Sequence, residues 1–275
     1  MGERKRYDRI GAQTSRLRTE RKGPTNLSDP TLDFRWAYRQ SFDLGNLLDK
    51  DDAQNLAPLV LPTSDYVKSH ASAYARDCDD VAWKAALGAV MTGELGATST
   101  AFDYTNQWIG KGGAVGAATG TASGLTVAKL ITANEILQDA DIEDGSPRVL
   151  VCTAKEITNL LNTTKVTSAD YNSVKALVNG TVDSFMGFKF IVIKRLAKSD
   201  GASYNSTDSG NVRRCVAWVK GAIKRTKGSM MSKIGEREDL SYSTQICSAW
   251  NLGATRVYDE GVVQIDCDEG AAQPS

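Results

Sequence analysis

Apolar residues recur along this chain at two different periods, and the places where the period changes divide it. Between residues 32 and 42, Leu32, Phe34, Trp36, Tyr38 and Phe42 fall mostly two apart, with Asp33, Arg35 and Arg39 between them. Period two puts alternate side chains on opposite faces of a strand. A weaker version over Ile10–Arg18 completes a predicted long hairpin whose tip is KGPTNLSDP. A two-stranded ribbon is marginal in water on its own, so this one is expected to finish its core on a partner.

From Pro62 to Gly93 the spacing becomes helical. Val67, Ala71, Tyr74, Cys78, Val81, Ala82, Ala85 and Ala89 follow at intervals of three and four, with Pro62-Thr63-Ser64 as an entry and Gly93 as a stop. The pattern predicts one helix of about 28 residues, about 42 Å long, a spine along an elongated body. A second helix is predicted over Leu125–Ala140, with Val127, Leu130, Ile131, Asn134 and Leu137 on its apolar stripe.

Pro147–Thr153 then reads as a short strand. It runs into a helix opened by a capping box, Thr153 with Glu156, and carrying Ile157, Leu160 and Leu161. A further short helix is expected over Ala169–Val178, closed by Asn179-Gly180. Phe185–Leu196 is the most β-prone run, and it is predicted to be covered on both sides. Phe188, Phe190 and Val192 would face one layer, Ile191 and Ile193 the other. A polar loop over 199–211 precedes strand-like runs at 213–226, 241–257 and 261–268. The second half is thus a mixed sheet with short helices packed on it, and the whole an α+β chain.

Charge adds one feature. The 275 residues carry 33 basic and 33 acidic side chains, so the net balance gives no ground for a dedicated nucleic-acid binder. The first 22 residues are nonetheless rich in Arg and Lys, while the stretch after Arg256 is acidic or neutral. Such ends are either solvated or form a basic arm that reaches acidic surface on another subunit. Five well-separated cysteines, 78, 152, 215, 247 and 267, form no C-x-x-C pair and read as reduced, mostly buried thiols. No signal peptide and no 18-residue apolar run is present, so export and membrane insertion are not expected.

Chemistry is sparse. The glycine-rich segment Gly110–Gly124 lacks the Gly-Lys-Ser/Thr ending of a P-loop, and Val115 breaks the dinucleotide fingerprint. It is read as a flexible surface loop. His70 is the only histidine, on the spine helix, with no serine or cysteine that the sequence marks as its partner. Asp77, Asp79 and Asp80, and the group Asp139, Asp141, Glu143 and Asp144, do not match a calcium-loop spacing. The basic run Lys220–Lys227 is read as a solvated turn, or else as an edge facing DNA or another subunit. No catalytic residue, cofactor site or metal site is predicted.

Taken in order, the segments resemble the major capsid proteins of tailed double-stranded DNA bacteriophages. The matching stretches are DPTLDFRWAYRQSFDLGNLLDKDD, LPTSDYVKSHASAYARDCDDVAWKAALGAVMTG, GLTVAKLITANEILQDADI, the run from Pro147 to Leu196, and YSTQICSAWNLGATRVYDEGVVQI, where Gly-Ala-Thr-Arg looks like a turn into a final strand. The resemblance implies an N-terminal arm (1–20) and an extended β-hairpin loop (21–55). It also implies a peripheral domain (56–150, with the spine helix at 63–92 and returning strands at 250–268) and an axial domain (151–249). Family members usually carry a longer region ahead of the extended loop than the twenty or so residues here.

It also implies a non-enzymatic subunit of an icosahedral head shell, self-assembling into pentamers and hexamers in the bacterial host cytoplasm and enclosing DNA in the virion. Scaffolding, portal and decoration proteins would be its other partners. Arg16, Arg18, Arg21, Lys22, Phe34, Arg35, Trp36 and Arg39 would then form inter-subunit contacts. An encapsulin-like compartment shell is the alternative within the same fold. A soluble α/β enzyme holding a phosphorylated ligand at residues 110–124 is the alternative outside it.

Overall fold

The structure is a computed structural model that describes residues 3–11, 13, 15, 17, 19, 21, 27, 29–48, 65–140, 142, 147–161, 184–196, 198, 199 and 211–271. The chain divides into two compact units. The first comprises residues 1–85, 89–100 and 224–257, the second 86–88, 101–223 and 258–275. The predicted helix at 169–178, its Asn179-Gly180 stop and most of the polar loop lie outside the described residues.

In the first unit, β1 (Arg4–Ile10) pairs antiparallel with β2 (Leu32–Tyr38), from Arg4 opposite Tyr38 to Ile10 opposite Leu32. The hairpin therefore exists, but its first strand lies ahead of the Ile10–Arg18 stretch expected from sequence. RKRYDRI shows no apolar alternation because what one of its faces sets against the rings of the opposite strand is guanidinium groups, those of Arg4 and Arg6. The second strand also divides. At Arg39 the chain leaves β2, and it continues as β3 (Gln40–Leu48) in a different sheet. There β3 pairs antiparallel with β13 (Ser243–Arg256), and β12 (Ile223–Arg237) flanks β13 on the other side.

The spine helix is α1, Asp65–Leu87, 23 residues and so about 35 Å long. It stops short of the predicted end because Val90–Thr92 is strand β4, held between β2 and β5 (Thr98–Thr100). Val90 and Thr92 are β-branched and suit a sheet. Gly93, expected as a helix stop, instead supplies a left-handed turn residue after β4, with φ 85°. Cys78 and Val81 of α1 pack on Trp250 and Leu252, and Tyr74 meets Trp250 edge-on with ring centroids 5.7 Å apart. Ala71 is exposed, and His70 turns inward beside this stripe.

The basic run does not form the predicted turn. The turn is at Lys220-Gly221, where Gly221 has φ 103°, and Lys224, Arg225 and Lys227 lie inside β12. From Ser229 to Arg237 both faces of β12 are exposed, so no alternation marks the strand in the sequence. Gly-Ala-Thr-Arg, predicted as a turn, is the end of β13, and Arg256 there is fully buried.

The second unit is a mixed sheet in the order β6 (Trp108–Ile109), β14 (Val262–Asp268), β11 (Val212–Val219), β7 (Arg148–Cys152), β9 (Phe188–Val192) and β8 (Ser184–Phe185), with β10 (Lys198–Ser199) paired to β11. Strands β7 and β9 are parallel, as are β14 and β6. Helices α2 (Val127–Asp139) and α3 (Ala154–Leu161) complete the unit. On α2 the buried positions are Lys129, Leu130, Ala133 and Leu137, whereas Ile131 is 51% exposed, outside its predicted place on the stripe.

The most β-prone run is a hairpin followed by a strand. Phe185 pairs with Phe188 across Met186-Gly187, whose φ angles of 51° and 81° give a tight left-handed turn. Phe188 and Phe190 are buried, while Ile191 and Val192 are 39% and 52% exposed. Among the described residues the predicted cover is thus present at Phe188 and Phe190, and not at Val192 on the same face or Ile191 on the other.

Candidate inter-subunit surface

The β1–β2 ribbon carries most of the residues singled out from sequence. Its antiparallel register places Arg4, Arg6, Asp8 and Ile10 on one face with Tyr38, Trp36, Phe34 and Leu32. Each guanidinium leans diagonally over the ring one rung along, Arg4 above Trp36 at 4.5 Å and Arg6 above Phe34 at 4.7 Å. At a half-exposed site each such contact contributes about 0.5–1 kcal/mol. The ring ends are tied down as well. Trp36 Nε1 donates to the Gly93 carbonyl at 2.8 Å, the Tyr38 hydroxyl to the Gly96 carbonyl at 3.2 Å, and Arg4 Nη1 to the Leu95 carbonyl at 2.6 Å.

The predicted contact residues consequently fall into three groups. Phe34, Arg35 and Trp36 are engaged within their own chain, and Arg35, only 5% exposed, pairs with Asp33 at 2.9 Å. Arg21 and Arg39 are exposed. Arg16, Arg18 and Lys22 lie outside the described residues. Sequence reasoning missed Arg4, Arg6 and Tyr7, whose hydroxyl shares a 2.6 Å hydrogen bond with Thr226 Oγ1. The signal for the two arginines was their two-residue spacing, in phase with Phe34 and Trp36 once the register is known.

The family of phage capsid proteins matches the sequence over residues 1–269, a span that takes in the ribbon, the spine helix and all three described sheets. The chain belongs to this family. No curated protein sequence matches it. Among solved structures it is similar to the cyanophage Pam1 capsid, with a TM-score of 0.67 and 12% identity over 98% of this chain and 86% of that one. It is similar also to the capsid of Ralstonia phage GP4, with a TM-score of 0.61 and 12% identity over 100% and 85% of the two chains. For Mycobacterium phage Che8 the figures are 0.59 and 16%, over 99% and 86%. At these identities the likeness is one of fold, and it bears out the phage capsid architecture expected from sequence. The chain is a major capsid protein, a structural subunit of the head shell.

Within this capsid subunit the glycine-rich segment is a packed structural loop, not the flexible one expected. The amides of Gly110, Gly113, Gly116 and Ser123 donate to the carbonyls of Ala114, Gly110, Trp108 and Lys111 at 2.8–3.1 Å. A Cβ at Gly110 would stand 2.0 Å from the Ala117 carbonyl oxygen, and one at Gly112 2.1 Å from that of Thr119. Glycine is present because two stretches of backbone touch. Four of the loop's backbone amides are thus engaged within it. Lys129 closes the loop, its Nζ donating to the carbonyls of Ser123, Gly124 and Asp266 at 2.8, 3.1 and 2.8 Å.

Two buried carboxylates stand near this loop. Burial pushes Glu156 above the ordinary carboxylate range, against the pull of the Leu125 amide that donates to its Oε2 at 2.9 Å. Glu156 thus serves the Leu125 amide, and the predicted capping box is not formed by its side chain. Burial likewise raises Asp266, although Gln264 Nε2 and Trp108 Nε1 donate to it at 2.8 and 2.9 Å. The thiols of Cys152 and Cys267 are raised by burial too, which leaves them unreactive. In the first unit, His70 Nδ1 lies 2.9 Å from Ser248 Oγ, a buried partner on β13 that the sequence did not mark. Asp77, expected on a solvated face, accepts from Trp250 Nε1 at 3.1 Å.

Proposed function

We propose that copies of this capsid protein associate through the β1–β2 ribbon and its flanking segments into the pentamers and hexamers of an icosahedral head that encloses double-stranded DNA, and that the subunit itself catalyses no reaction. The observation that carries this reading is the family match over residues 1–269, which includes the ribbon. In support, the ribbon's aromatic face is organised by its own cations, while Arg21 and Arg39 are left exposed for a neighbour. Arg16, Arg18, Arg21, Lys22 and Arg39 are assigned to inter-subunit ion pairs. Phe34, Arg35 and Trp36 act indirectly, by holding the ribbon rigid where it meets the next subunit.

In the same reading, residues 1–20 form the arm and 21–55 the extended loop, and the seven-stranded sheet is the tiled plate. Scaffolding, portal and decoration proteins are its further partners, and assembly takes place in the host cytoplasm. The family match favours a phage head over a compartment shell. Negative-stain electron microscopy of the purified chain is expected to show shells or capsomers. Monodisperse monomers at every salt concentration, with scaffold present, would refute the assembly.

A further inference from the structure

The cationic cover of the ribbon's aromatic face is incomplete. Arg4 caps Trp36 and Arg6 caps Phe34, but the rung of Ile10 opposite Leu32 is two aliphatic side chains that are 61% and 59% exposed. An apolar pair this exposed leaves hydrophobic surface in water, which burial against another surface would remove. At the other end and on the opposite face, Ala37 forms the floor of a half-open cavity of about 170 Å³. Leu252, Gly253, Gly228 and Asn251 wall it, and Lys5 and Arg39 stand at its rim with Glu3. Its exposed lining is largely apolar. The volume is close to that of cavities of roughly 150 Å³ known to take a benzene-sized group, room for one aliphatic side chain.

A subunit cannot fill this cavity with its own Leu32. Five residues of paired strand separate Leu32 from Ala37, about 17 Å at 3.4 Å per residue, and the two project from opposite faces. A plug and a socket at separate places on one chain make a heterologous contact, which joins each copy to the next and closes into a ring when the rotation allows. The charges agree. Asp29 is exposed three residues before Leu32, and the socket rim offers Lys5 and Arg39.

We infer that Leu32, from the exposed Ile10–Leu32 rung of one subunit, inserts into the Ala37 cavity of a second copy, with Asp29 meeting the basic rim. This rests on the proposed assembly and names the surface it uses. The test pairs a plug variant, Leu32→Ser, with a socket variant, Ala37→Leu, in the full-length chain. Leu32 is exposed, so L32S keeps the wild-type melting curve and its result stands alone if A37L folds poorly. Each variant alone is expected to lose shells and capsomers at least tenfold by sedimentation.

Mixed in equal amounts they retain one intact plug and one intact socket, and should form discrete two-subunit particles. Assembly of L32S at wild-type yield would overturn the inference, as would a mixture that stays monomeric while both variants melt normally. Failure of the wild-type chain itself to form shells or capsomers would instead count against the proposed assembly.

Discussion

Lys129 shows how a charged side chain can serve as scaffold. It is 1% exposed, and its three hydrogen bonds end on backbone carbonyls from the glycine loop and β14. A buried acceptor left without its donor costs about 1–3 kcal/mol. Lys129→Met keeps the stem and strips the donors, so denaturant unfolding should show a loss of about 3 kcal/mol or more. Glu156 and Asp266 act in the opposite sense at neutral pH. Because burial raises both, the folded state binds protons that the unfolded chain releases, and the stability they contribute is full below the ordinary carboxylate values and is lost as pH rises through the raised ones. Melting temperature should therefore climb as pH falls from neutrality toward the ordinary carboxylate values, and Glu156→Gln, which keeps an oxygen for the Leu125 amide, should flatten that climb. A profile for Glu156→Gln parallel to wild type would show that Glu156 is not the source.

Elements differ in how much of themselves they reveal. The spine helix was legible because burying one stripe forces a helical period on the sequence, β7 because it is a short apolar run, and β14 because Val263, Ile265 and Cys267 alternate with polar residues. The strand β1 was not, since its contact with β2 is guanidinium over aromatic ring, a pairing visible only in register. Nor was the far half of β12, where no burial imposes a pattern. Glycines divide along the same line. Gly110 is required by close backbone approach, whereas Gly235 in β12 has nothing within 4 Å of a built Cβ and an ordinary φ. Gly110→Ala should cost about 1–3 kcal/mol by overpacking, while Gly235→Ala should be neutral or stabilise by about 0.5–1 kcal/mol. Equal effects in urea titrations would contradict the distinction. At the hairpin turn, Met186 holds a φ of 51° that Asn adopts more readily, and Met186→Asn is expected to gain about 0.4–1 kcal/mol.

For the whole molecule, the site differed from its sequence-based outline in kind more than in place. The ribbon was found, and its need for a partner was inferred from marginal two-strand stability, but the residues chosen were the most conspicuous aromatics and charges. Conspicuous aromatics in a marginal element tend to be consumed by its own stabilisation, as Trp36 is by Arg4 and the Gly93 carbonyl. What remains for a neighbour is the less conspicuous remainder, an aliphatic rung and exposed guanidiniums such as Arg39. A contact made from both has two signatures. Its apolar part persists in salt, whereas its charged part is screened as the Debye length falls from about 10 Å at 0.1 M to about 3 Å at 1 M. Assembly followed by light scattering should therefore slow, without being abolished, as salt rises over that range. Reversing the rim charge with Arg39→Glu should slow assembly at low salt and weaken the salt dependence, since exposed charges steer encounter more than they fix the final affinity. If R39E assembles at the wild-type rate at low salt, the exposed guanidinium takes no part in bringing subunits together.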